Sequence, residues 1–305
     1  METAPVLLIV FNRPDSTQKV FDILREVKPS KLYVAADGPR NEEEKEICEK
    51  VRAIIKPDWE CELHTLFHKS NFGCRYAPFK AINWLFETEE HGIILEDDCL
   101  ADLSFFRFAS ELLEKYRDED SIGMIAGHTP INVPCETSYR FSLFKACWGW
   151  ATWKRAWVNM DIELEKCDYI NDIAPKMVYN KKRISHWIGC IERIKGNRVQ
   201  AWDWPWYFSM AAHNQIGIFP AQNLVCNIGY GDNKGTHYSY QAPKGINTSR
   251  KVSFPLVHPD EIKPDLEFDL EFEKTLNLGK HIVIKRYFNR LPLFIRKPIK
   301  QIFNI

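Results

Sequence analysis

Apolar runs alternate with amphipathic segments through the first 128 residues. The continuous apolar run at 5–11 (PVLLIVF) predicts a strand buried on both faces, and further strands are predicted at 32–36 and 60–67. Apolar residues recur at helical spacing after each strand, so helices are predicted before Pro29, over 42–55, over 76–88 and over 103–116. Four strand and helix units of this length predict a Rossmann-like α/β half with a mostly parallel sheet flanked by helices.

The strand predicted at 92–99 (GIILEDDC) ends in three consecutive carboxylates, Glu96, Asp97 and Asp98. A buried parallel strand delivers its last residues to the carboxyl edge of the sheet, where open α/β folds bind ligands. Adjacent like charges repel one another, so such a triplet needs either solvent or a cation. The triplet alone is therefore either a solvated acidic loop or a ligand site.

The pattern changes after residue 128. A strand is predicted at 122–126, followed by short strands, loops and helices at 152–160, 184–194 and 205–213. No repeat or low-complexity linker separates this part from the first, so 129–278 is predicted to pack on 1–128 within one domain. Tryptophans concentrate between Trp148 and Trp206, where they line a carbohydrate or acceptor pocket or form plain core.

The last segment, 279–305, alternates basic with apolar and aromatic residues and contains no acidic residue. This pattern suits a basic amphipathic helix on an anionic membrane surface. It equally suits a terminal helix that docks its apolar side on the domain.

Composition narrows the classes of partner and compartment. Lys plus Arg and Asp plus Glu both total 41 in 305 residues, so no global field indicates a nucleic-acid partner. The nine cysteines are scattered without a CxxC pair, which favours reduced thiols and disfavours a zinc site or disulfide framework. We see neither a signal-peptide pattern nor an apolar stretch of about 20 residues. The expected location is the cytoplasm. The basic tail would allow peripheral binding to the inner face of the cytoplasmic membrane.

The sequence lacks GxGxxG after the first strand and lacks GxxxxGK[ST], which disfavours a standard dinucleotide binder and a P-loop NTPase. A phosphorylated ligand would then have to be bound without a glycine-rich loop. Carboxylates are suitable ligands for Mg²⁺ or Mn²⁺, and such a cation bridges phosphate oxygens and stabilises a leaving diphosphate. Asp37 either accepts a base or ribose hydroxyl or forms the turn before Gly38. Arg13, Arg40 and Arg75 follow strand ends and pair with phosphate or are surface charges.

The order of motifs FNRP, AADGP, SNFGCR and ILEDDC resembles glycosyltransferases of the GT-A fold, with the triplet in the place of their DxD motif. The later motifs WGWATW, WDWPW and NKGTH follow in an order similar to N-acetylglucosaminyltransferase I and its bacterial relatives. The resemblance covers residues 5–240. It implies a GT-A domain whose second, aromatic-rich half holds the acceptor.

The resemblance also implies roles for single residues. Asp98 would bind the metal, whereas Glu96 and Asp97 would contact ribose or donor sugar. Asp203 would be the base that deprotonates the acceptor hydroxyl, although it also suits the N-cap of a helix opening at 205. His237 lies in a glycine-rich segment expected to close over the donor, or it is a loop histidine without a ligand.

Trp148 and Trp150 are expected to shape the sugar pocket or only to pack around Gly149. The residues expected at the nucleotide sugar lie in these motifs and are Phe11, Asn12, Arg13, Asp37, Gly38, Arg40, Asn71, Arg75, Glu96, Asp97, Trp148, Gly149, Trp150 and His237.

The expected function is a metal-dependent, inverting glycosyltransferase with Mn²⁺ or Mg²⁺ as cofactor. It would move a sugar from a nucleotide diphosphate sugar to a saccharide or lipid-linked saccharide in bacterial surface-polysaccharide synthesis. The expected donor is a UDP-sugar. One alternative is a sugar nucleotidyltransferase, which the absence of glycine from FNRPDS disfavours. The other alternative is a non-catalytic sugar-binding or scaffold protein of the same fold.

Overall fold

The fold is taken from a computed structural model that describes residues 2–229 and 248–276. The segment that carries His237 and the predicted tail 279–305 lie outside the described residues. The strands are β1 (Val6–Val10), β2 (Lys31–Ala36), β3 (Glu62–Phe67), β4 (His91–Glu96), β5 (Cys99–Ala101), β6 (Ile122–Ala126), β7 (Tyr139–Ser142), β8 (Trp150–Trp153), β9 (Ile216–Pro220) and β10 (Val225–Asn227). The α-helices are α1 (Pro14–Val27), α2 (Glu42–Ile54), α3 (Gly73–Thr88), α4 (Leu103–Lys115), α5 (Lys154–Trp157), α6 (Ile184–Lys195), α7 (Asp203–Ala212) and α8 (Leu266–Thr275).

Strand β1 is apolar at every position because helices cover both faces of the sheet. Val6, Leu8 and Val10 pack into the layer that contains α1, α2 and α4, whereas Leu7 and Ile9 pack against α3 on the opposite face. Side chains alternate between faces along a strand, so a strand covered on both sides needs apolar residues at both odd and even positions. The run of apolar residues is thereby explained.

One sheet of eight strands runs through the described residues in the order β3-β2-β1-β4-β8-β6-β9-β7. Six strands point the same way, because β8 and β7 pair antiparallel with their neighbours and the remaining pairs are parallel. The predicted α/β, Rossmann-like class with a mostly parallel sheet flanked by helices is confirmed. Strands β5 and β10 form a separate antiparallel pair.

The second half contributes strands to the same sheet as the first. Strand β8 lies between β4 and β6, with Ile94 opposite Trp150 and Ile125 opposite Ala151. The helix predicted over 152–160 is therefore wrong in its first part, and only Lys154–Trp157 is helical there. The residues WATW alternate between the two faces of the sheet, and pairing on both sides outweighs any local helical preference.

Four tryptophans of the second half form one buried cluster against the sheet. Trp150 lies 5.5 Å from Trp202 and 6.1 Å from both Trp157 and Trp206, measured between ring centroids. Trp157 and Trp206 are 5.0 Å apart. Large aromatic side chains that pack face and edge in this way contribute mainly by burying apolar surface. These four are core, and of them only Trp202 also borders the cleft described below.

A smaller apolar cluster covers α7 from outside. It joins α6 and the short helical turns Tyr169–Ile173 and Ala174–Met177 to α7, with Trp187 and Phe208 in edge contact at 5.7 Å. This layer fixes the N-terminus of α7 relative to the sheet. None of the helices in the described part of the chain has the length and apolar character that crossing a membrane requires.

Replacing Trp206 by Ala should destabilise the protein by about 3–5 kcal/mol, because a fully buried indole leaves a cavity that its neighbours cannot fill. Trp206→Phe should cost clearly less, since it keeps an aromatic ring and removes an indole N–H that has no partner among the described residues. Urea unfolding followed by far-UV circular dichroism measures both. Val158→Ala, at a position 63% exposed, is the control and should change little. Equal, small losses for the two Trp206 variants would contradict a packed cluster.

Candidate functional site

A cleft of about 800 Å³ opens at the carboxyl edge of β1, β2 and β4. One wall is the sheet edge with the triplet Glu96 to Asp98, and the other is the segment 193–207 of the helical layer. Its polar and aromatic lining residues are Phe11, Arg13, Asp37, Arg40, Asn71, Glu96, Asp97, Asp98, Trp148, Arg193, Arg198, Gln200, Trp202, Asp203, Trp204, Tyr207 and Asn227.

The acidic triplet is held together by one arginine. Arg13 Nη1 lies 2.6 Å from Asp98 Oδ2 and 3.2 Å from Asp97 Oδ1. The backbone N–H of Phe11 donates to Asp97 Oδ2 at 3.3 Å. Arg13 immediately precedes α1, so the turn that ends β1 brings its side chain over the end of the neighbouring strand β4. The sequence predicted Arg13 as a phosphate ligand and the carboxylates as a metal site, each independently of the other. In the structure, Arg13 and the carboxylates form one cluster.

Burial and mutual repulsion both disfavour the charged forms of the carboxylates in this cluster. Burial raises the pKa of Glu96 to about 8, and repulsion by Asp98 and Asp97 adds to this effect. Burial likewise raises the pKa of Asp97 to about 7, although Arg13 acts in the opposite direction. Burial by itself would lower the pKa of Arg13, but the charges of Asp97 and Asp98 outweigh it and raise the value. An additional cation in the cleft would relieve this repulsion.

Asp203 faces the triplet from the other half of the chain. It is the first residue of α7 and lines the same cleft as Glu96 and Asp98. Its negative charge also contributes to the raised pKa of Glu96, after burial, Asp98 and Asp97. The alternative role as N-cap is wrong, because the N-cap residue is Trp202 and the helix already includes Asp203. An acidic residue in the first turn still suits the helix dipole.

Asp37 uses its carboxylate to hold the loop before α3. Oδ1 accepts from the N–H of Gly38 at 2.8 Å and of Phe72 at 2.9 Å, and Oδ2 accepts from the N–H of Gly73 at 3.0 Å and from Asn71 Nδ2 at 2.9 Å. These donors include the start of α3, so Asp37 caps a helix that follows another strand. The structure supports the structural role for Asp37 more directly than the ligand role.

Gly38 and Asn71 belong to the same closed arrangement. A Cβ on Gly38 would lie 2.4 Å from the carbonyl carbon of Ser70, so the two segments approach too closely for any side chain. Asn71 Nδ2 also donates to the carbonyl of Gly38 at 2.8 Å. Asn71 lines the cleft, whereas Gly38 acts by allowing the contact.

Asn12 and Arg40 are held by a residue that the sequence did not single out. Glu44 accepts from Asn12 Nδ2 and from the backbone N–H and Nε of Arg40, each at 2.9 Å. The hydrogen bonds of Arg40 lower the pKa of Glu44 to about 2. Arg40 in turn lies over the ring of Phe11 at 5.4 Å, and both side chains line the cleft. Asn12 supports this pair without lining the cleft.

Other predicted donor-site residues lie away from the cleft. Arg75 is buried and donates to the carbonyl of Ile162 at 2.7 Å and to Glu163 at 2.9 Å, so it joins α3 to the second half. Trp150 belongs to the tryptophan cluster, and Gly149 has a positive φ of 59° where a Cβ would meet Val225. His237 lies outside the described residues.

Trp148 does line the cleft. Its ring packs at 4.4 Å from that of His128, whose pKa burial lowers to about 4, so His128 is neutral and packs as an uncharged ring. The sequence reasoning missed further cleft residues, among them Arg193, Arg198 and Gln200. They lie on a helix end and a turn, and no local motif marks such positions.

Comparison with known proteins adds little beyond the general architecture. No family model matches the chain, and no curated protein sequence matches it. Among solved structures, it is similar to a mannosyltransferase from Pyrobaculum calidifontis in complex with GDP-Man and Mn²⁺, with 11% identity and a TM-score of 0.40 over 70% of each chain.

Two nucleotide-using synthases are also similar. A CMP:2-keto-3-deoxy-manno-octonic acid synthetase complexed with CTP has 13% identity and a TM-score of 0.33, over 52% of this chain and 77% of the other. A 4-diphosphocytidyl-2C-methyl-D-erythritol synthase from Anaerococcus prevotii has 9% identity and a TM-score of 0.30, over 44% of this chain and 61% of the other. Likeness at this level carries no argument, so function has to be argued from the cleft.

Asp37→Ala should destabilise the protein by about 2–3 kcal/mol, because it leaves the backbone donors at the start of α3 without their acceptor. Chemical denaturation measures the loss, and Asp260→Ala, at an exposed position, is the matched control. A variant as stable as the control that had lost nucleotide binding would instead assign the carboxylate to a ligand.

Proposed function

We propose that this protein is a glycosyltransferase that moves a sugar from a nucleotide diphosphate sugar to a saccharide hydroxyl. The observation that carries the proposal is the cleft that opposes the triplet Glu96 to Asp98 with Asp203. Displacement of a diphosphate by a hydroxyl needs positive charge at the leaving group and a base at the attacking oxygen. We assign the leaving group to the triplet and a cation that it would hold, and the attacking oxygen to Asp203.

The donor side of the cleft suits a nucleotide diphosphate. Phe11 offers an aromatic face beside Arg40, and Asn71 offers an amide at the same edge of the sheet. Arg13 supplies a guanidinium next to the triplet, where it meets a diphosphate without the help of a glycine-rich loop. Glu96 and Asp97 are proposed to contact ribose or donor sugar, as hydrogen-bond acceptors or, if protonated, as donors.

The triplet also suits a divalent cation. Its oxygens are hard ligands, and burial together with repulsion between the carboxylates raises the pKa values of Glu96 and Asp97, so a bound cation would favour their charged forms. Within residues 2–229 and 248–276, no group of three or more His, Cys, Asp or Glu side chains forms a metal cage. We assign Asp98 as the residue that would hold the cation. Bound Mn²⁺ or Mg²⁺ would supply Lewis-acid stabilisation of the leaving diphosphate.

Asp203 is proposed as the base. It takes the proton of the acceptor hydroxyl while that oxygen bonds to the anomeric carbon, and the bond from this carbon to the diphosphate oxygen breaks. Attack from the side opposite the leaving group inverts the anomeric configuration. Trp202 and Trp204 flank Asp203 on this wall and limit the access of water, which protects the donor from hydrolysis.

Asp98→Asn should weaken UDP binding in the presence of Mn²⁺ by roughly tenfold or more, because one hard oxygen ligand of the cation is lost. Binding without Mn²⁺ should change little. Isothermal titration calorimetry with UDP, and with GDP and CDP in parallel, measures both values. Asp118→Asn, at a highly exposed position, is the control. An undiminished effect of Mn²⁺ in Asp98→Asn would contradict the assigned ligand.

Asp203→Asn should lower kcat for release of UDP from its sugar by about 10²–10⁴-fold, the usual contribution of a general base. The dissociation constant for UDP should stay within about twofold, because Asp203 does not contact the nucleotide in the proposed arrangement. A coupled assay of UDP release from a panel of UDP-sugars, with and without oligosaccharide acceptors, measures kcat. Glu192→Gln, exposed on α6, is the control.

The same assays separate the rival functions. If the unmodified protein and all variants bind nucleotide sugars but show no turnover, the protein is a non-catalytic binding protein. Release of pyrophosphate from a nucleoside triphosphate and a sugar phosphate would indicate a nucleotidyltransferase. A normal kcat in Asp203→Asn would place the base elsewhere.

A further inference from the structure

The wall that faces the triplet carries two arginines that the proposed chemistry does not use. Arg193 lies in the last turn of α6, and Arg198 lies in the turn that follows this helix. Both side chains line the cleft, together with Gln200 and Trp204. The wall formed by Arg193, Arg198, Gln200 and Trp204 is called the arginine wall below.

Contacts within the chain fix where these guanidinium groups lie. Arg193 is 5.4 Å from the ring centroid of Trp204, within the range of a cation–π contact. Arg198 Nη2 donates to the carbonyl of Glu192 at 3.1 Å, at the C-terminal end of α6. Trp204 is itself partly buried and follows Asp203 directly, so Arg193 contacts the residue next to the proposed base.

The charge state of the arginine wall differs from that of the donor side. Arg13 is paired with Asp97 and Asp98, and Arg40 is paired with Glu44. Neither Arg193 nor Arg198 forms a salt bridge with any residue in the described part of the chain. Two arginines that line a cleft without a carboxylate partner among residues 2–229 and 248–276 present donors that match a planar or tetrahedral anion.

The position of the arginine wall indicates which substrate the anion belongs to. The diphosphate of the donor is expected at the opposite wall, beside Arg13 and Asp98, whereas Asp203 lies on the same wall segment as Arg193 and Arg198. A group bound at Arg193 and Arg198 would therefore approach Asp203 from the acceptor side. Trp204 adds an aromatic face, a surface on which sugar rings commonly stack.

We propose that the acceptor is an anionic saccharide whose carboxylate or phosphate binds Arg193 and Arg198 while its sugar ring lies against Trp204. This inference rests on the proposed transferase function for the assignment of the anion to the acceptor. The anion and its two arginines orient the acceptor so that its hydroxyl meets Asp203. No covalent step involves the arginines.

Saturation-transfer NMR with the full-length protein tests the binding preference. The probes are glucuronic acid and glucose 6-phosphate, each compared with glucose, in the presence of saturating UDP and Mn²⁺ so that phosphate binding at the donor side is blocked. Each charged sugar, or one of the two, should bind about tenfold more tightly than glucose. The two probes distinguish a carboxylate-bearing from a phosphate-bearing acceptor.

Arg193→Gln and Arg198→Gln should each reduce the preference for the charged sugar, and the double variant should abolish it. Lys195→Gln removes the same charge from the exposed side of α6, outside the cleft, and should keep the preference. The dissociation constant for UDP should be unchanged in all variants. All three positions are exposed, so melting temperatures should stay close to that of the unmodified protein.

Equal binding of charged and neutral sugars by the unmodified protein would overturn the proposal. Weaker UDP binding in the arginine variants, with an unchanged sugar preference, would also overturn it and assign the arginines to the donor. Absence of any nucleotide binding would refute the proposed transferase instead, while the titration of charged against neutral sugars, repeated without UDP, still measures the preference of the arginine wall.

Discussion

The contact of Arg13 with Asp97 and Asp98 is the interaction on which the site depends. Three consecutive carboxylates at the end of a buried strand would repel one another strongly in a partly dehydrated cleft. One guanidinium at 2.6 Å and 3.2 Å from two of them makes the arrangement tolerable without neutralising it. Gly229 packs against the same group, because a Cβ there would lie 2.6 Å from Asp98 Oδ2. The turn after β1, the end of β4 and the segment after β10 are thus fitted around one ion cluster.

The residual charge of this cluster gives the cleft its polarity. On its sheet wall, Arg13 and Arg40 are each paired with carboxylates, whereas Arg193 and Arg198 of the arginine wall have no salt-bridge partner among the described residues. A donor with a cation and an anionic acceptor would each meet complementary charge. Asp203 lies on the wall opposite the triplet, where in the proposed arrangement a hydroxyl from one substrate would meet an anomeric carbon from the other.

Much of the first half was predictable because its signals are local. Strands β1, β2 and β4 are continuous apolar runs, and α1, α2 and α4 have apolar residues at helical spacing. The second half was harder to predict, since residues such as Trp150 take their structure from pairing with distant strands. Many of the residues at the cleft were foreseen, but some roles were not. Arg75, chosen as a phosphate ligand, is a buried structural contact, and the need for Glu44 behind Arg40 was missed.

The sequence by itself determined the α/β class, the order of the first four strand and helix units and the delivery of three carboxylates to a sheet edge. These follow from hydrophobic periodicity, which any segment carries within its own residues. Only the tertiary structure decided that β8 enters the sheet beside β4, that Asp37 caps a helix and that four tryptophans form core. It also placed Asp203 and the arginine wall opposite the triplet. Such choices depend mainly on contacts between residues that are distant in the sequence, whose energies no local pattern encodes.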